Sequence, residues 1–337
     1  MPSTAPPSPA LVFDTINAYQ RTAALRAAIE LDLFTAIGSG INSSPALAAH
    51  ASASERGVRV LCDYLTVIGF LSKAQTEYCL TRDSAVFLDK RSPAYLGGAI
   101  GFLLSPSLTS PYQDLAAIVR KGGTTLEGQG TVEPDHPVWQ EFARSMAPMM
   151  STATELIAQK LDGSSSGAIK VLDIAAGHGL FGIAIARHNQ SAQVHALDWP
   201  KVLDVASENA QAAGVATRHH RMEGNAFDLD FGNGYDIVLL TNFLHHFDIP
   251  TCEALLKKVH ASLKPGGRCA TLEFVPNDDR VSPPTEATFS LVMLASTAAG
   301  DAYTFQQLEA MSARAGFQRS EIHDLAPVPQ HLVISHK

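Results

Sequence analysis

Apolar residues recur at three-to-four spacing over the first hundred positions, then in short alternating or continuous runs over the second half. Tyr19, Ala23, Ala27, Ile29 and Leu33-Phe34 lay a stripe along one helix predicted over 18–37. Ser44-Pro45 opens a short helix over 46–50, with Ser as cap and Pro in the first turn. A third helix over 57–68 ends near Gly69, and 70–73 with 78–81 read as two short strands about a polar turn. Three helices followed by a hairpin within 11–100 form a winged-helix pattern.

The stretch 101–162 is read as connecting helices broken at Pro106, Pro111, Pro134, Pro137 and Pro148. Within it Phe142, Met146, Met149 and Met150 share a helical face suited to a core or to a pocket wall. Asp162 to Gly167 is a Gly/Ser joint. Beyond it, strands over 169–175, 193–198, 217–222, 236–241 and 268–274 alternate with helices over 180–187, 201–213 and 251–263. Such alternation predicts an α/β fold, a doubly wound and mostly parallel sheet. A helix over 304–315 and strands over 321–325 and 330–337 close the chain. The short turn between these last two of seven strands makes them antiparallel.

Composition narrows the picture. The 337 residues suit about two domains, and 46% apolar with 17% charged residues is globular. A formal charge of −8 argues against a nucleic-acid surface. The segment 52–65, where a winged helix would read DNA, offers Arg56 and Arg59 against Glu55 and Asp63, so packing or dimerisation is expected of it. No apolar run reaches membrane-spanning length. The first ten residues, Pro-rich and without a basic or apolar stretch, read as a disordered tail and not a signal peptide. Cys62, Cys79, Cys252 and Cys269 form no C-x-x-C pair, which suits a reducing, cytoplasmic location.

Chemistry concentrates where the first strand of the second region ends. Asp173-Ile174-Ala175-Ala176-Gly177-His178-Gly179 leads into a helix, its small residues allowing a sharp turn and close approach of a ligand. Asp198 ends the next strand, a place suited to a ribose hydroxyl. Together they predict a nucleoside crevice. The run 175–182 is read as a poor fit to G-x-G-x-x-G, and the Asp173 charge suits a cation better than a pyrophosphate. Both readings favour S-adenosylmethionine, whose sulfonium and amino groups are positive. His219-His220 sits in a strand, where neighbours face opposite ways, and no residues have metal-ligand spacing, so no metal is expected.

Asp173–Gly179, Asp198-Trp199-Pro200, Glu223–Phe227, Asn242–Asp248, Lys264-Pro265-Gly266-Gly267, Met293-Leu294, Tyr303-Thr304 and Ala315-Gly316-Phe317 occur in that order. With the antiparallel end, the chain resembles a class I S-adenosylmethionine-dependent methyltransferase. The winged-helix front narrows the resemblance to the plant-type and bacterial small-molecule O-methyltransferases of secondary metabolism, whose members form homodimers through that domain. The resemblance implies cofactor contacts at Asp173, Ala175, Gly177, Gly179, Asp198, Trp199, Asn225, Ala226, Phe227 and Thr241. Asn225-Ala226 stands where the family has Asp-Met. The family's catalytic His-Asp-Trp falls on His245-His246-Phe247, which makes His245 the general base and Glu273 its brace. A second bracing acid falls on Ala302, with Asp301 adjacent. A pocket for a small, planar, hydroxylated acceptor is expected from Phe142, Met146, Met149, Phe243, His246, Phe289 and Met293. Non-methylating chemistry on the same fold (decarboxylation, hydroxylation, a pericyclic step) and a DNA-binding metabolite sensor are the alternatives.

Overall fold

The computed structural model describes residues 6–126, 128, 130, 131, 136, 138–161 and 167–337. Of the features read from sequence, Met1–Ala5, Pro134, Pro137 and 162–166 of the joint lie outside them. The chain divides into two compact units, one ending at Leu104 and one from Ser105 to Lys337.

In the first unit, α1 (Ala10–Ile16) and α2 (Ala18–Glu30) precede α3 (Leu33–Gly38), α4 (Ser44–His50) and α5 (Glu55–Val67). The helix expected over 18–37 is two helices. Asp32 takes a left-handed φ of 55°, a conformation Asp tolerates better than most residues, and this turns the chain between them. Ser54, not Gly57, marks the start of α5, its hydroxyl accepting from Gly57 N–H at 3.3 Å. The hairpin β1 (Leu71–Ala74) and β2 (Glu77–Leu80) is antiparallel. Tyr78 Oη donates to Asp63 of α5 at 2.8 Å, and Lys73 pairs with the same carboxylate, pinning the hairpin to the helix. Leu33, Phe34, Leu47, Val58, Cys62, Leu65 and Leu71 fill the core. Two helices, α6 (Arg82–Phe87) and α7 (Gly97–Leu103), complete this unit.

The second unit opens with α8 (Pro106–Thr109), a 3₁₀ turn over Ser110–Asp114, α9 (Leu115–Lys121) and the long α10 (Val138–Leu161). Pro148 sits inside α10 and does not end it, contrary to expectation. Proline removes one helical bond, and burial of Met146, Met150, Ala153, Ile157 and Leu161 on one face holds the helix through that loss.

The sheet comprises β3 (Lys170–Ile174), β4 (Gln193–Asp198), β5 (His219–Glu223), β6 (Tyr235–Thr241), β7 (Leu263–Glu273), β8 (Arg319–Asp324) and β9 (His331–His336). Their spatial order is β5-β4-β3-β6-β7-β9-β8, and β9 runs antiparallel to both neighbours while the other adjacent pairs are parallel. The expected seven-stranded, doubly wound sheet with its antiparallel last strand is therefore the fold. The expected strand over 217–222 starts two residues late because 216–218 form a 3₁₀ turn. Helices α11 (Leu180–His188), α12 (Pro200–Ala212), α13 (Ile249–Ser262), α14 (Pro284–Ser296) and α15 (Phe305–Ala315) connect the strands. Sequence reading had no helix at α14. It lacks a side-chain N-cap and exposes Leu291 and Val292, so its periodicity is weak.

Chain order reverses about β3, which places a crevice beyond the carboxyl ends of β3 and β6. Ala175 and Asn242, the residues after these two strands, both take left-handed φ, 53° and 54°, an unusual state for residues with a Cβ. Gly177, Gly179 and Gly182 do have the G-x-G-x-x-G spacing, which the run 175–182 was read as fitting poorly. Gly177 and Gly179 turn with φ of 57° and 72°, and a Cβ on Gly182 would meet Val194 Cγ1 at 2.6 Å and Asp173 Oδ2 at 3.0 Å. That approach seals Asp173. Its Oδ2 accepts from Gly182 N–H at 3.1 Å, Oδ1 has no partner among the described residues, and no surface is exposed. Asp173 is thus a buried strut beneath the turn, not the open counter-charge expected. Burial pushes its carboxyl up to about 8, opposed by the Gly182 bond.

Two predictions follow from this packing. Gly182→Ala should overpack the helix–strand contact, a loss of about 1–2 kcal/mol after helix propensity is credited, read as a fall of the thermal midpoint by a few degrees. Because the Asp173 carboxyl is raised, the folded state holds its proton more tightly than the unfolded one. The native protein then loses stability as pH rises from about 4 to about 8. Asp173→Asn removes that loss, so its midpoint relative to the native protein should be more favourable at pH 8 than at pH 5. An unchanged difference would refute the assignment.

Candidate active site

The turn after β3 is tied to its neighbours through main chain. Asp198 Oδ2 accepts from Gly177 N–H at 2.8 Å and Oδ1 from Trp199 N–H at 2.7 Å. Burial raises the Asp198 carboxyl to about 6 despite these donors. Asn209 of α12 donates to His178 O at 2.8 Å, holding the far side of the turn. Above Gly177 the space is open, since an added Cβ would meet only Ala175 O, at 3.9 Å. The Trp199 ring packs with Trp139 against Ala143, Val202 and Val205.

Asn225 is occupied locally. Its Oδ1 accepts from Phe227 N–H at 3.0 Å and its Nδ2 donates to Asp228 at 2.9 Å, which makes it the cap of a turn. The turn is held by a residue sequence reading missed. Lys258 of α13 donates to the carbonyls of Ala226, Phe227 and Leu229 at 3.0, 2.7 and 3.1 Å, using all three ammonium donors. Only its place in a helix preceding Lys-Pro-Gly-Gly marked it, and that is no signal. Ala226 is buried. Phe227 meets Phe247 edge-on at 4.9 Å, and Phe247 meets Phe243 at 5.1 Å. This cluster takes Phe243, expected at the acceptor, to the Phe227 side. Thr241, the last residue of β6, is buried.

Beyond β6, a 3₁₀ turn over Leu244–His246 presents His245. Its Nδ1 is hydrogen-bonded to Glu273 Oε2, and Glu273 Oε1 accepts from Phe243 and Leu244 N–H at 3.1 and 2.8 Å. His245 and Glu273 are 4% and 2% exposed. Among the described residues no second carboxylate bonds to His245. Ala302 is buried, and Asp301 faces outward to Arg280 at 2.8 Å, an arm that also donates to Gln307. Tyr303 Oη donates instead to Phe247 O at 2.5 Å.

Aromatic rings wall this histidine. Phe289 meets His245 edge-on at 4.9 Å and stacks on Phe274 at 4.1 Å. Trp139, also missed, meets His246 at 5.2 Å and Phe142 at 5.8 Å, and its indole N–H donates to Thr131 O at 2.8 Å. Burial, then the neighbouring His245, lowers His246 well below the ordinary histidine range, so it is neutral. Met146 and Met293 are buried; Met149 is 40% exposed and does not join them, since the buried stripe of α10 runs through Met146, Met150, Ala153 and Ile157 and leaves Met149 at its edge.

A carboxylate at a strand tip, an orphaned buried carboxyl oxygen beneath a glycine turn, open space above Gly177 and an aromatic cluster fit a nucleoside that carries positive charge. The comparisons agree. A model of the O-methyltransferase domain matches residues 112–318 and one of the O-methyltransferase dimerisation domain matches 13–90. A solved structure of a provisionally assigned O-methyltransferase from Nostoc punctiforme PCC 73102 is 53% identical, with a TM-score of 0.96 over 98% of this chain and 100% of that one. The 3-hydroxy-5-methyl-1-naphthoate 3-O-methyltransferase of Streptomyces sahachiroi is 28% identical over 86% of this chain and 84% of its own. Human N-acetylserotonin methyltransferase, solved with S-adenosylmethionine, shares the fold at 22% identity, with a TM-score of 0.84 over 100% of this chain and 99% of that one. No helix among the described residues is long and apolar enough to cross a membrane. The chain belongs to the O-methyltransferase family, an enzyme with an N-terminal dimerisation domain and S-adenosylmethionine as its cofactor.

Proposed function

We propose that this enzyme methylates a hydroxyl on a small aromatic acceptor, with His245 as general base and Glu273 as its brace. The buried His245–Glu273 pair beside the switch-point crevice carries the reading. Asp198 would hold the ribose, the turn at Gly177 the amino-acid end and the Phe227 cluster the adenine. Asp173 and Thr241 would support these from beneath. S-adenosylmethionine supplies a methyl group made electrophilic by its sulfonium.

Glu273 accepts from Nδ1–H, so the lone pair of His245 lies on Nε2 and is free to take a proton from the acceptor hydroxyl. A phenol, with an ordinary pKa near 10, needs this help at neutral pH. The carboxylate then faces the imidazolium that forms, while neutral His246 adds no opposing charge. Phe289, Phe274 and Trp139 offer a flat apolar wall that excludes water from the anion. The 3-O-methylation of a hydroxynaphthoate by the Streptomyces relative supports an aromatic acceptor. Leu11, Val12, Phe13, Ile16 and Tyr19, exposed on α1 and α2, suit a homodimer formed through the first unit. The four cysteines are free, in keeping with a reducing compartment.

With a naphthol as acceptor, His245→Ala should lower kcat by about a hundredfold or more and leave the affinity for S-adenosylhomocysteine within about twofold. Native turnover in that variant would exclude His245 as the base. Asp198→Ala should do the reverse, weakening S-adenosylhomocysteine by about tenfold or more in calorimetry. Products analysed by mass spectrometry and NMR should be aryl methyl ethers; hydroxylated or decarboxylated products would establish the non-methylating alternative.

A further inference from the structure

Positions 286, 289 and 293 fall on one face of α14, spaced for a common stripe. Phe289 carries that face to the base, its ring against His245, and Met293 is buried on it. Glu286 lies one turn before Phe289. It is 7% exposed, yet it makes no hydrogen bond or ion pair with any described residue. The stem of Glu286 is buried, while its carboxylate oxygens are not among the side-chain atoms shut off from solvent, so the group is open to a ligand of opposite charge. Its own helix supplies no donor by the usual route. A glutamate at the third helical position can close a capping box on the N–H of the cap residue, but the cap is Pro283, which has no N–H. Arg280, the nearest arginine before it in sequence, is committed to Asp301 and Gln307.

We propose that Glu286 is the recognition site for a protonated amine on the acceptor. This rests on the aryl-hydroxyl reading above and sets the acceptor class: a phenol at one end and an alkylammonium at the other. Glu286 stands about 4.5 Å along the helix axis from Phe289, and helical side chains lean toward the N-terminus. Its carboxylate therefore reaches away from His245, toward the end of the acceptor opposite the reacting hydroxyl. The face of Phe289, one turn on, favours a cation as well. A charge-assisted bond to an otherwise unpartnered carboxylate gives selectivity, since an acceptor lacking the donor leaves the group unpaired.

The full-length enzyme saturated with S-adenosylhomocysteine is titrated calorimetrically with tyramine, with its hydroxyl analogue 4-(2-hydroxyethyl)phenol and with 4-ethylphenol. Tyramine should bind about tenfold or more tighter than 4-ethylphenol, with the hydroxyl analogue between them. In Glu286→Gln, an isosteric change, that preference should collapse to about twofold while S-adenosylhomocysteine affinity is kept. Equal binding of tyramine and 4-ethylphenol, absence of binding by all three, or a preference that survives Glu286→Gln would overturn the proposal. Equal binding of tyramine and the hydroxyl analogue would overturn its cationic part. A Glu286-dependent preference without methyl transfer to tyramine would leave Glu286 standing and overturn the hydroxyl-methylation reading instead.

Discussion

One carboxylate organises the reactive end of the crevice. Glu273 ends β7 and reaches across to the chain leaving β6, where it binds two successive amide N–H groups with one oxygen and His245 with the other. The same group that fixes the main chain of the 3₁₀ turn therefore fixes the ring it presents. An imidazole held this way has little freedom to leave its position, and in the proposed role of base such orientation would contribute heavily to catalysis. The left-handed residue at Asn242 is the local distortion that lets the strand end and the turn begin within one residue.

The two acids of the cofactor side work differently. Asp198 is engaged by two amides at a strand tip and keeps lone pairs for a ligand. Asp173 is sealed under the glycine turn by the approach of Gly182, and one of its oxygens has no protein partner. Both sit in surroundings that resist their charge. A ligand bringing positive charge to this region relieves that resistance, which couples cofactor binding to the protonation of the site.

Much of this was legible in the sequence because it rests on local rules. The alternation of strands and helices, the glycine turn and the acid at the second strand tip each follow from short-range pattern, whereas the His245–Glu273 pairing was implied by the family resemblance. What was not legible depends on tertiary context. The helix over 18–37 divides because of a single φ at Asp32, α10 survives Pro148 because one of its faces is buried, and α14 has no cap or clean stripe to announce it. Trp139 and Lys258 were missed for the same reason: their roles come from what the fold brings to them. Asn225, expected to face a base edge, also satisfies its own turn, which leaves one amide N–H and one lone pair for a ligand. The fingerprint spacing of Gly177, Gly179 and Gly182 was present in the sequence and misread, and its third glycine shows its role only in the distance between α11 and β4.

The Lys258 clamp has a consequence for how this protein can change. The loop that carries Phe227 is gripped through peptide oxygens, and peptide oxygens are common to every amino acid. The anchorage of the loop thus does not depend on which side chains stand at 226–229, even though Ala226, Phe227 and Leu229 also pack into the core. It does depend on the lysine, which answers all three oxygens alone.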